Sequence, residues 1–183
     1  MIYGNVHNYT SRKLQMRKKQ GKIREKHKQL QEDEKKFMGH LYFVRHGQTI
    51  WNVEGKICGA TDIALTELGH EQAIATGKKI LEEHIYADEI LYSPLMRAAD
   101  TAKHISEVTG IPARVEQRLK EQNFGRWEST PRNGAEFQVA KQSFVCSYEG
   151  GESMLRLAQR IYNLLDEIKA QSGEKTYILV AHN

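Results

Sequence analysis

The chain has 183 residues, 39% of them apolar, and its 27 Lys and Arg against 23 Asp and Glu give a net charge of +4. This length accommodates one domain with a sizeable core. The sequence holds no apolar run of membrane-spanning length, no apolar stretch of the kind that secretory signals carry, and no metal-ligand or disulfide spacing between Cys58 and Cys146. We therefore expect a cytoplasmic protein with reduced thiols and no membrane association.

The basic excess lies in the first 39 residues, which carry 11 Lys and Arg against 4 Asp and Glu. Residues 12–36 favour a helix by composition, but only one apolar residue recurs per heptad, half of what a coiled coil requires. We expect residues 1–39 to form a basic helical or disordered extension outside the fold, and Met38 to serve as a native start. Charge alone would allow this extension to bind nucleic acid, but a solvated appendage is the stronger interpretation.

Strand and helix patterns alternate from residue 40 onward. Leu41–Arg45 is a β-favouring apolar run that stops at a glycine, and it predicts a buried strand. Thr66 can cap a helix that runs to about Glu83. We expect the inner face of that helix to hold Ala73, Ile80, Leu81 and His84.

The middle of the chain repeats this alternation. Glu89–Tyr92 predicts a short strand, and Pro94 suits the first turn of a following helix that ends at Gly110. Ala113–Val115 predicts another short strand. Residues 129–151 show no regular pattern and look like a mobile insertion over one end of the fold.

The last elements complete an α/β pattern. Glu152 to Ala170 predicts an amphipathic helix, and Tyr177–Ala181 is apolar throughout, which indicates a central strand. We expect the inner side of that helix to carry Leu155, Ala158, Ile161, Tyr162, Leu165 and Ile168. The fold class is therefore α/β, a three-layer α/β/α sandwich with a mostly parallel central sheet.

Several polar residues lie just after the predicted strands. Arg45 and His46 end the first strand, and His182 ends the last one. Arg97 falls in the first turn after a strand, and Glu121 lies on a connecting segment. Because α/β proteins place ligand sites at the carboxyl ends of their strands, this set indicates an anion pocket that contains a reactive imidazole.

The chain resembles the histidine phosphatase superfamily, also called the phosphoglycerate mutase-like family. Five ordered motifs carry the resemblance over residues 41–183: RHG[EQ]T-x-W-N at Arg45–Asn52, L-T-E-x-G-x-x-Q-A at Leu65–Ala73, S-P-L-x-R-A-x-x-T-A at Ser93–Ala102, L-x-E-x-x-x-G-x-W-E at Leu119–Glu128, and V-[SA]-H at Val180–His182.

This resemblance implies a phosphoglycerate mutase-like fold and the chemistry of a cofactor-independent phosphatase that needs no metal. His46 would attack phosphorus and form a phosphohistidine, while Arg45, Arg97 and His182 would surround the phosphoryl oxygens. Glu121 would act as acid and base. The expected partner is a small phosphorylated substrate, and nothing in the sequence indicates an oligomeric state.

Some assignments keep an alternative. Asn52 either contacts the phosphoryl group or caps a helix, and Glu128 lies close enough in sequence to compete with Glu121 as the acid. Residues 129–151, together with Ile50, Trp51 and Ile57, are expected to select the substrate.

The phosphatase interpretation also has rivals. A phosphoglycerate mutase would use the same site, but mutases of this family usually carry a longer insertion, whereas Glu121 and His182 are only 61 positions apart. A non-catalytic phosphate-binding module is the other alternative. Family members usually continue beyond the second histidine, whereas this chain stops at Asn183. The alternative to an active phosphatase is therefore a chain with a truncated C-terminus that has weak or no activity in this form.

Overall fold

The computed structural model describes Glu25, residues 39–171 and residues 175–182. The chain divides into two units, Met1–Met38 and Gly39–Asn183, and the account below concerns the second. The predictions for residues 12–36 and for a start at Met38 fall outside the described residues, as does Asn183.

Four parallel strands form the sheet that the described residues build. They are β1 Leu41–Arg45, β2 Glu89–Tyr92, β3 Ala113–Val115 and β4 Tyr177–Ala181, in the order β1-β4-β2-β3. The strands predicted from the sequence are thereby confirmed, including the central position of β4. Because all pairings are parallel, the carboxyl ends of the four strands meet at one edge of the sheet.

Helices connect and cover these strands. The α-helices are α1 Ile50–Val53, α2 Glu67–Glu82, α3 Met96–Thr109, α4 Ala135–Ala140 and α5 Met154–Gln171, with single 3₁₀ turns at Gln117–Leu119 and Gly125–Trp127. The hydroxyl of Thr66 accepts the backbone N–H of Gly69 at 3.1 Å and caps α2, as expected. Gly110 ends α3 in the left-handed conformation. Pro94 lies one residue before the cap Leu95 instead of inside the first turn.

The two central strands, β2 and β4, are covered on both faces of the sheet. One face packs against α2 and α3 through a cluster of aliphatic residues: Ile80, Ile90, Ala98, Ala102, Ile105, Ile178 and Val180. The other face packs against α5 and the first 3₁₀ turn through Leu91, Leu119, Leu164, Ile168, Tyr177 and Leu179. Alternate residues of β2 and β4 thus point to opposite layers, which confirms the α/β/α sandwich.

The segment 129–151 is more ordered than its sequence pattern indicates. It contains α4, and the side chains of Phe137 and Tyr148 are buried in a third cluster with Ile57. Phe124 and Trp127 pack against that cluster, whereas Phe144 is exposed. Aromatic residues too widely spaced for a periodic pattern still form a small core once the chain folds back on the loop that carries Ile57.

The predicted burial of β1 is wrong. Phe43 is 67% exposed, and Leu41 and Tyr42 are also exposed, because β1 pairs with β4 on one side and is the first strand in the sheet order. An apolar run indicates a strand but not its place in the sheet, since edge and central strands can carry the same residue types.

The predicted inner faces of α2 and α5 include buried residues, but some of the residues assigned to them are exposed. Leu81 and His84 are exposed at the end of α2, and Leu155 and Tyr162 are exposed on α5. Leu164, absent from the predicted face, is buried against the sheet. Successive residues of a helix point about 100° apart, so two overlapping sets of apolar residues can each form a plausible buried face. Packing against the sheet then decides which set is buried. Within the described residues, no helix is both long enough and apolar enough to cross a membrane.

Two glycines hold the loop after β1 close to the start of α2. A Cβ built on Gly47 would lie 2.3 Å from the carbonyl oxygen of Gly69, and one built on Gly69 would lie 2.2 Å from that of Gln48. Both distances are far below van der Waals contact. The residue after His46 therefore rests directly on the backbone of α2.

We expect Gly69→Ala to destabilise the protein by about 1–3 kcal/mol because its Cβ meets a backbone oxygen that cannot move away. Helix propensity alone favours alanine by about 1 kcal/mol and predicts the opposite sign. Urea unfolding measures the difference. Gly134→Ala is the matched control, since its Cβ would come no closer than 3.3 Å to the carbonyl oxygen of Pro131. An unchanged midpoint for Gly69→Ala would contradict the close approach.

Candidate active site

The parallel strands bring the predicted site residues to one edge of the sheet. The backbone N–H of His46 donates to the carbonyl of Ala181 at 3.1 Å, and that of Ser93 donates to Val180 at 3.0 Å. These bonds continue the register of β4 with β1 and β2 by one residue. As a result the rings of His46 and His182 lie 5.1 Å apart, although 136 positions separate them in the chain.

His46 is a buried and neutral imidazole. Its Nδ1 lies 2.7 Å from the carbonyl oxygen of Gly47, so Nδ1 carries the proton and Nε2 has a free lone pair. The pKa of His46 is lowered to about 4, mainly by burial and also by the charges of Arg97 and Arg45, whereas the bond to Gly47 opposes this lowering. A neutral ring with an unprotonated Nε2 is the form that can attack an electrophile.

His182 is also neutral. Its Nε2 lies 2.8 Å from the hydroxyl of Ser93, which itself accepts the backbone N–H of Leu95. When the hydroxyl of Ser93 donates its proton to Nε2, the ring proton of His182 is on Nδ1. Nδ1 is buried and has no partner among the described residues. Burial first, and the charge of Arg97 second, lower the pKa of His182 to about 2.

Arg97 lies in the first turn of α3 and is fully buried. Its Nη1 donates to the carbonyl of Thr61 at 3.0 Å, and its Nη2 donates to the carbonyl of Gly59 at 2.7 Å. The Nε–H is buried and has no partner among the described residues. Burial lowers the pKa of Arg97 from its ordinary value, yet a guanidinium stays charged at any physiological pH. Two backbone carbonyls thus fix a cation whose charge acts on both His46 and His182.

Glu121 follows the first 3₁₀ turn and lines the same cavity as His46. Its Oε1 accepts the backbone N–H of Gln122 at 2.7 Å. Burial raises the pKa of Glu121, while that hydrogen bond and the charges of Arg97 and Arg160 oppose the rise. A raised pKa extends the pH range over which the carboxyl group keeps its proton, which suits a general acid.

Glu128, the competitor of Glu121 in the sequence, is engaged elsewhere. Its carboxylate accepts the backbone N–H of Ala60 at 2.7 Å, that of Thr61 at 2.7 Å and that of Phe124 at 3.2 Å. The same loop supplies the two carbonyls that hold Arg97. Glu128 therefore fixes the loop instead of facing the cavity.

Asn52 caps a helix, which is one of the two alternatives that the sequence leaves open. Its Oδ1 accepts the backbone N–H of Thr49 at 3.0 Å, and the hydroxyl of Thr49 accepts the N–H of Asn52 at 3.3 Å. This reciprocal capping box begins α1. Asn52 also lines the cavity, and its contact with a phosphoryl group stays a prediction.

A cavity of about 220 Å³ is lined by Arg45, His46, Asn52 and Glu121 among the predicted site residues, whereas Arg97 and His182 are not wall residues. Apolar side chains form part of its wall, with Ile57, Phe124 and Phe137 from the third core cluster. Arg132 and Lys141 add positive charge from the segment 129–151. Ile57 is where the sequence analysis expects it, whereas Ile50 and Trp51 are not among the wall residues. Arg132 and Lys141 could not be singled out, because no motif marks their approach to the site.

Within the part of the chain that the structure describes, no three His, Cys, Asp or Glu side chains are placed to hold a metal ion. The thiol of Cys58 lies in the cavity wall, where burial raises its pKa. The described ionisable side chains of the cavity wall are three cationic ones, Arg45, Arg132 and Lys141, together with His46, Glu121 and Cys58.

The chain is similar in sequence to a known protein family and to curated proteins. The family model described as histidine phosphatase superfamily (branch 1) matches residues 41–183. The curated protein named "Probable phosphoglycerate mutase GpmB" from Yersinia pestis (strain Pestoides F) is 34% identical over 153 residues, which cover 79% of this chain and 70% of that protein.

Two solved structures are similar as well. Mycobacterial glucosyl-3-phosphoglycerate phosphatase is 31% identical with a TM-score of 0.68, over 78% of this chain and 73% of that one. Phosphoglycerate mutase from Thermus thermophilus is 29% identical with a TM-score of 0.62, over 78% of this chain and 77% of that one. The similar proteins thus include both a phosphatase and mutases.

The two buried histidines predict a pH dependence of stability. Below the ordinary histidine pKa of 6.5 the unfolded chain binds protons at His46 and His182, whereas the folded chain does not until the pH falls to about 4 and about 2. The free energy of unfolding should therefore be independent of these groups above pH 6.5 and fall as the pH is lowered below it. Each histidine contributes up to about 1.4 kcal/mol per pH unit.

Urea unfolding at pH 7 and pH 5 measures this loss. His46→Gln should make the loss smaller, since glutamine does not titrate. His40→Gln, at an exposed histidine, is the control and should leave the loss unchanged. Equal losses in the protein and in His46→Gln would show that His46 is not held neutral by burial.

Proposed function

The chain belongs to the histidine phosphatase superfamily (branch 1), and from this membership we propose that it is a phosphatase that hydrolyses a small phosphomonoester through a phosphohistidine on His46. The observation that carries the proposal is the state of His46. Its Nδ1 is committed to the carbonyl of Gly47, its Nε2 is free, and its pKa is low enough to keep the ring neutral.

The donors around His46 suit a phosphoryl group. Arg97 Nε and His182 Nδ1 are buried N–H groups without acceptors among the described residues, and a buried donor without an acceptor costs about 1–3 kcal/mol. Phosphoryl oxygens would accept both bonds, and Arg45, at the cavity wall, would supply a second guanidinium. Fixed cationic donors of this kind stabilise the charge that develops in phosphoryl transfer.

The proposed reaction has two steps. First, the lone pair of His46 Nε2 attacks phosphorus, the bond from phosphorus to the ester oxygen breaks, and Glu121 gives its proton to the departing alkoxide. Second, a water molecule attacks the phosphohistidine, the carboxylate of Glu121 takes a proton from that water, and inorganic phosphate leaves with His46 neutral again. Glu121 ends protonated, ready for the next ester.

A phosphoglycerate mutase is the second candidate, because the relatives include proteins of that name. A mutase would return the phosphoryl group from His46 to an alcohol instead of to water. The short connection between Glu121 and His182, 61 positions, leaves less chain to enclose the alcohol, and it favours hydrolysis.

We expect the protein to release inorganic phosphate from p-nitrophenyl phosphate in the presence of EDTA, and His46→Ala to release none. His40→Ala, at an exposed histidine, should keep full activity. Denatured samples quenched during turnover should carry acid-labile, base-stable phosphate in the protein and none in His46→Ala. Turnover by His46→Ala would overturn the nucleophile assignment.

The same assay with 2-phosphoglycerate separates the two candidates, since a mutase gives the 3-isomer and a phosphatase gives phosphate. Phosphate binding by the folded protein without turnover of any ester would instead support a binding module.

Glu121→Gln should act selectively on esters with poor leaving groups. An alkoxide needs a proton to depart, so kcat/KM for glycerol 3-phosphate should fall by about 10²–10⁴. A p-nitrophenolate departs without one, so kcat/KM for p-nitrophenyl phosphate should change far less. Glu128→Gln tests the competing carboxylate, and its effect should be the same for both esters. Equal losses for both esters in Glu121→Gln would exclude Glu121 as the acid.

A further inference from the structure

Arg160, on α5, makes a cluster of hydrogen bonds that the proposed reaction does not use. Its Nε and Nη2 donate to the two carboxylate oxygens of Glu152, each at 2.9 Å. Its Nη1 donates to the carbonyl of Arg118, and its Nη2 donates to the carbonyl of Glu121 at 3.2 Å. The side chains of Arg160 and Glu152 are only 21% and 19% exposed. One guanidinium thus joins a carboxylate to both ends of the segment that carries Glu121.

The bond to the carbonyl of Glu121 reaches the carboxylate of the same residue. That carbonyl and the N–H of Gln122 belong to one planar peptide group, so the orientation of one fixes the orientation of the other. The N–H of Gln122 is the donor that holds Glu121 Oε1 at 2.7 Å. Arg160 therefore orients the peptide group whose N–H, on the opposite side from the carbonyl, donates to the carboxyl group of Glu121.

Glu152 strengthens the same arrangement from its backbone. Its N–H donates to the carbonyl of Asn123 at 2.7 Å, and its own carbonyl accepts the side-chain amide of Gln122 at 3.1 Å. Gln122 is 2% exposed. Two residues that follow Glu121 are thus bonded to Glu152, and Glu152 is bonded to Arg160.

We propose that Arg160 is a positioning residue for the general acid, which holds Glu121 in reach of the leaving-group oxygen through the peptide group that joins Glu121 to Gln122. This inference rests on the proposed function and deepens it. Glu152 is the second member of the device, because it fixes the guanidinium through two hydrogen bonds and leaves it aimed at the carbonyls of residues 118 and 121.

The positive charge of Arg160 adds an electrostatic effect with a definite sign. Burial raises the pKa of Glu121, and Arg160 is one of the two charges that oppose the rise. Loss of that charge leaves Glu121 protonated to higher pH. The basic limb of the profile of kcat/KM against pH, where an essential acid loses its proton, should then move to higher pH.

The experiment compares Arg160→Met with the protein on two esters, glycerol 3-phosphate and p-nitrophenyl phosphate, by kcat/KM. A misplaced acid matters for the alkyl ester only, so its kcat/KM should fall roughly 100-fold while that of p-nitrophenyl phosphate changes little. The basic limb for the alkyl ester should move upward. Arg160→Lys keeps the positive charge but not the forked geometry of the guanidinium. Its kcat/KM for the alkyl ester should therefore fall less than in Arg160→Met, and the basic limb of its pH profile should not move.

Arg156→Met is the matched control, since Arg156 is an exposed arginine of the same helix and its backbone N–H is the group that contacts the cap Ser153. It should match the protein on both esters. Equal losses on both esters in Arg160→Met, with the limb unmoved, would reduce Arg160 to a structural role and overturn the inference. Failure of the proposed function looks different, since the unaltered protein would then hydrolyse neither ester, or Glu121→Gln would show no preference between them.

Discussion

The guanidinium of Arg97 is fully buried, and the carbonyls of Gly59 and Thr61 fix it. Those carbonyls belong to a loop whose backbone N–H groups at Ala60 and Thr61 donate to the carboxylate of Glu128. The cation in turn disfavours protonation of both site histidines. The site thus depends on one positive charge whose partners are dipoles and not a carboxylate, which leaves that charge available to an anion.

Burial does two things at once in this arrangement. It removes water from His46 and His182, which keeps the rings neutral, and it deprives the donors Arg97 Nε and His182 Nδ1 of hydrogen bonds. The first effect suits the proposed role of His46 as nucleophile, and the second destabilises the folded site in the absence of an acceptor. Burial shifts the pKa of Glu121 in the opposite direction, upward, because it favours the neutral, protonated form of a carboxyl group.

Much of this could be predicted from the sequence, because the information is local. Strand ends carry His46 and His182, and a helix start carries Arg97, so a parallel sheet alone brings them together. The remaining features depend on contacts between distant segments. The exposure of β1 follows from its place in the strand order, Arg132 reaches the cavity from a segment without periodic pattern, and Arg160 acts through carbonyls some 40 positions away.

The strand order also governs how the protein is assembled. β4 is the last strand in the chain, yet it lies between β1 and β2. The strand that pairs with β1 is therefore 136 positions away in the chain. A separation of this size raises the entropic cost of closing the loop, and we expect it to slow folding. The same insertion that completes the sheet brings His182 beside His46. The placement of β4 as a central strand thus completes both faces of the hydrophobic core and supplies the second histidine of the site.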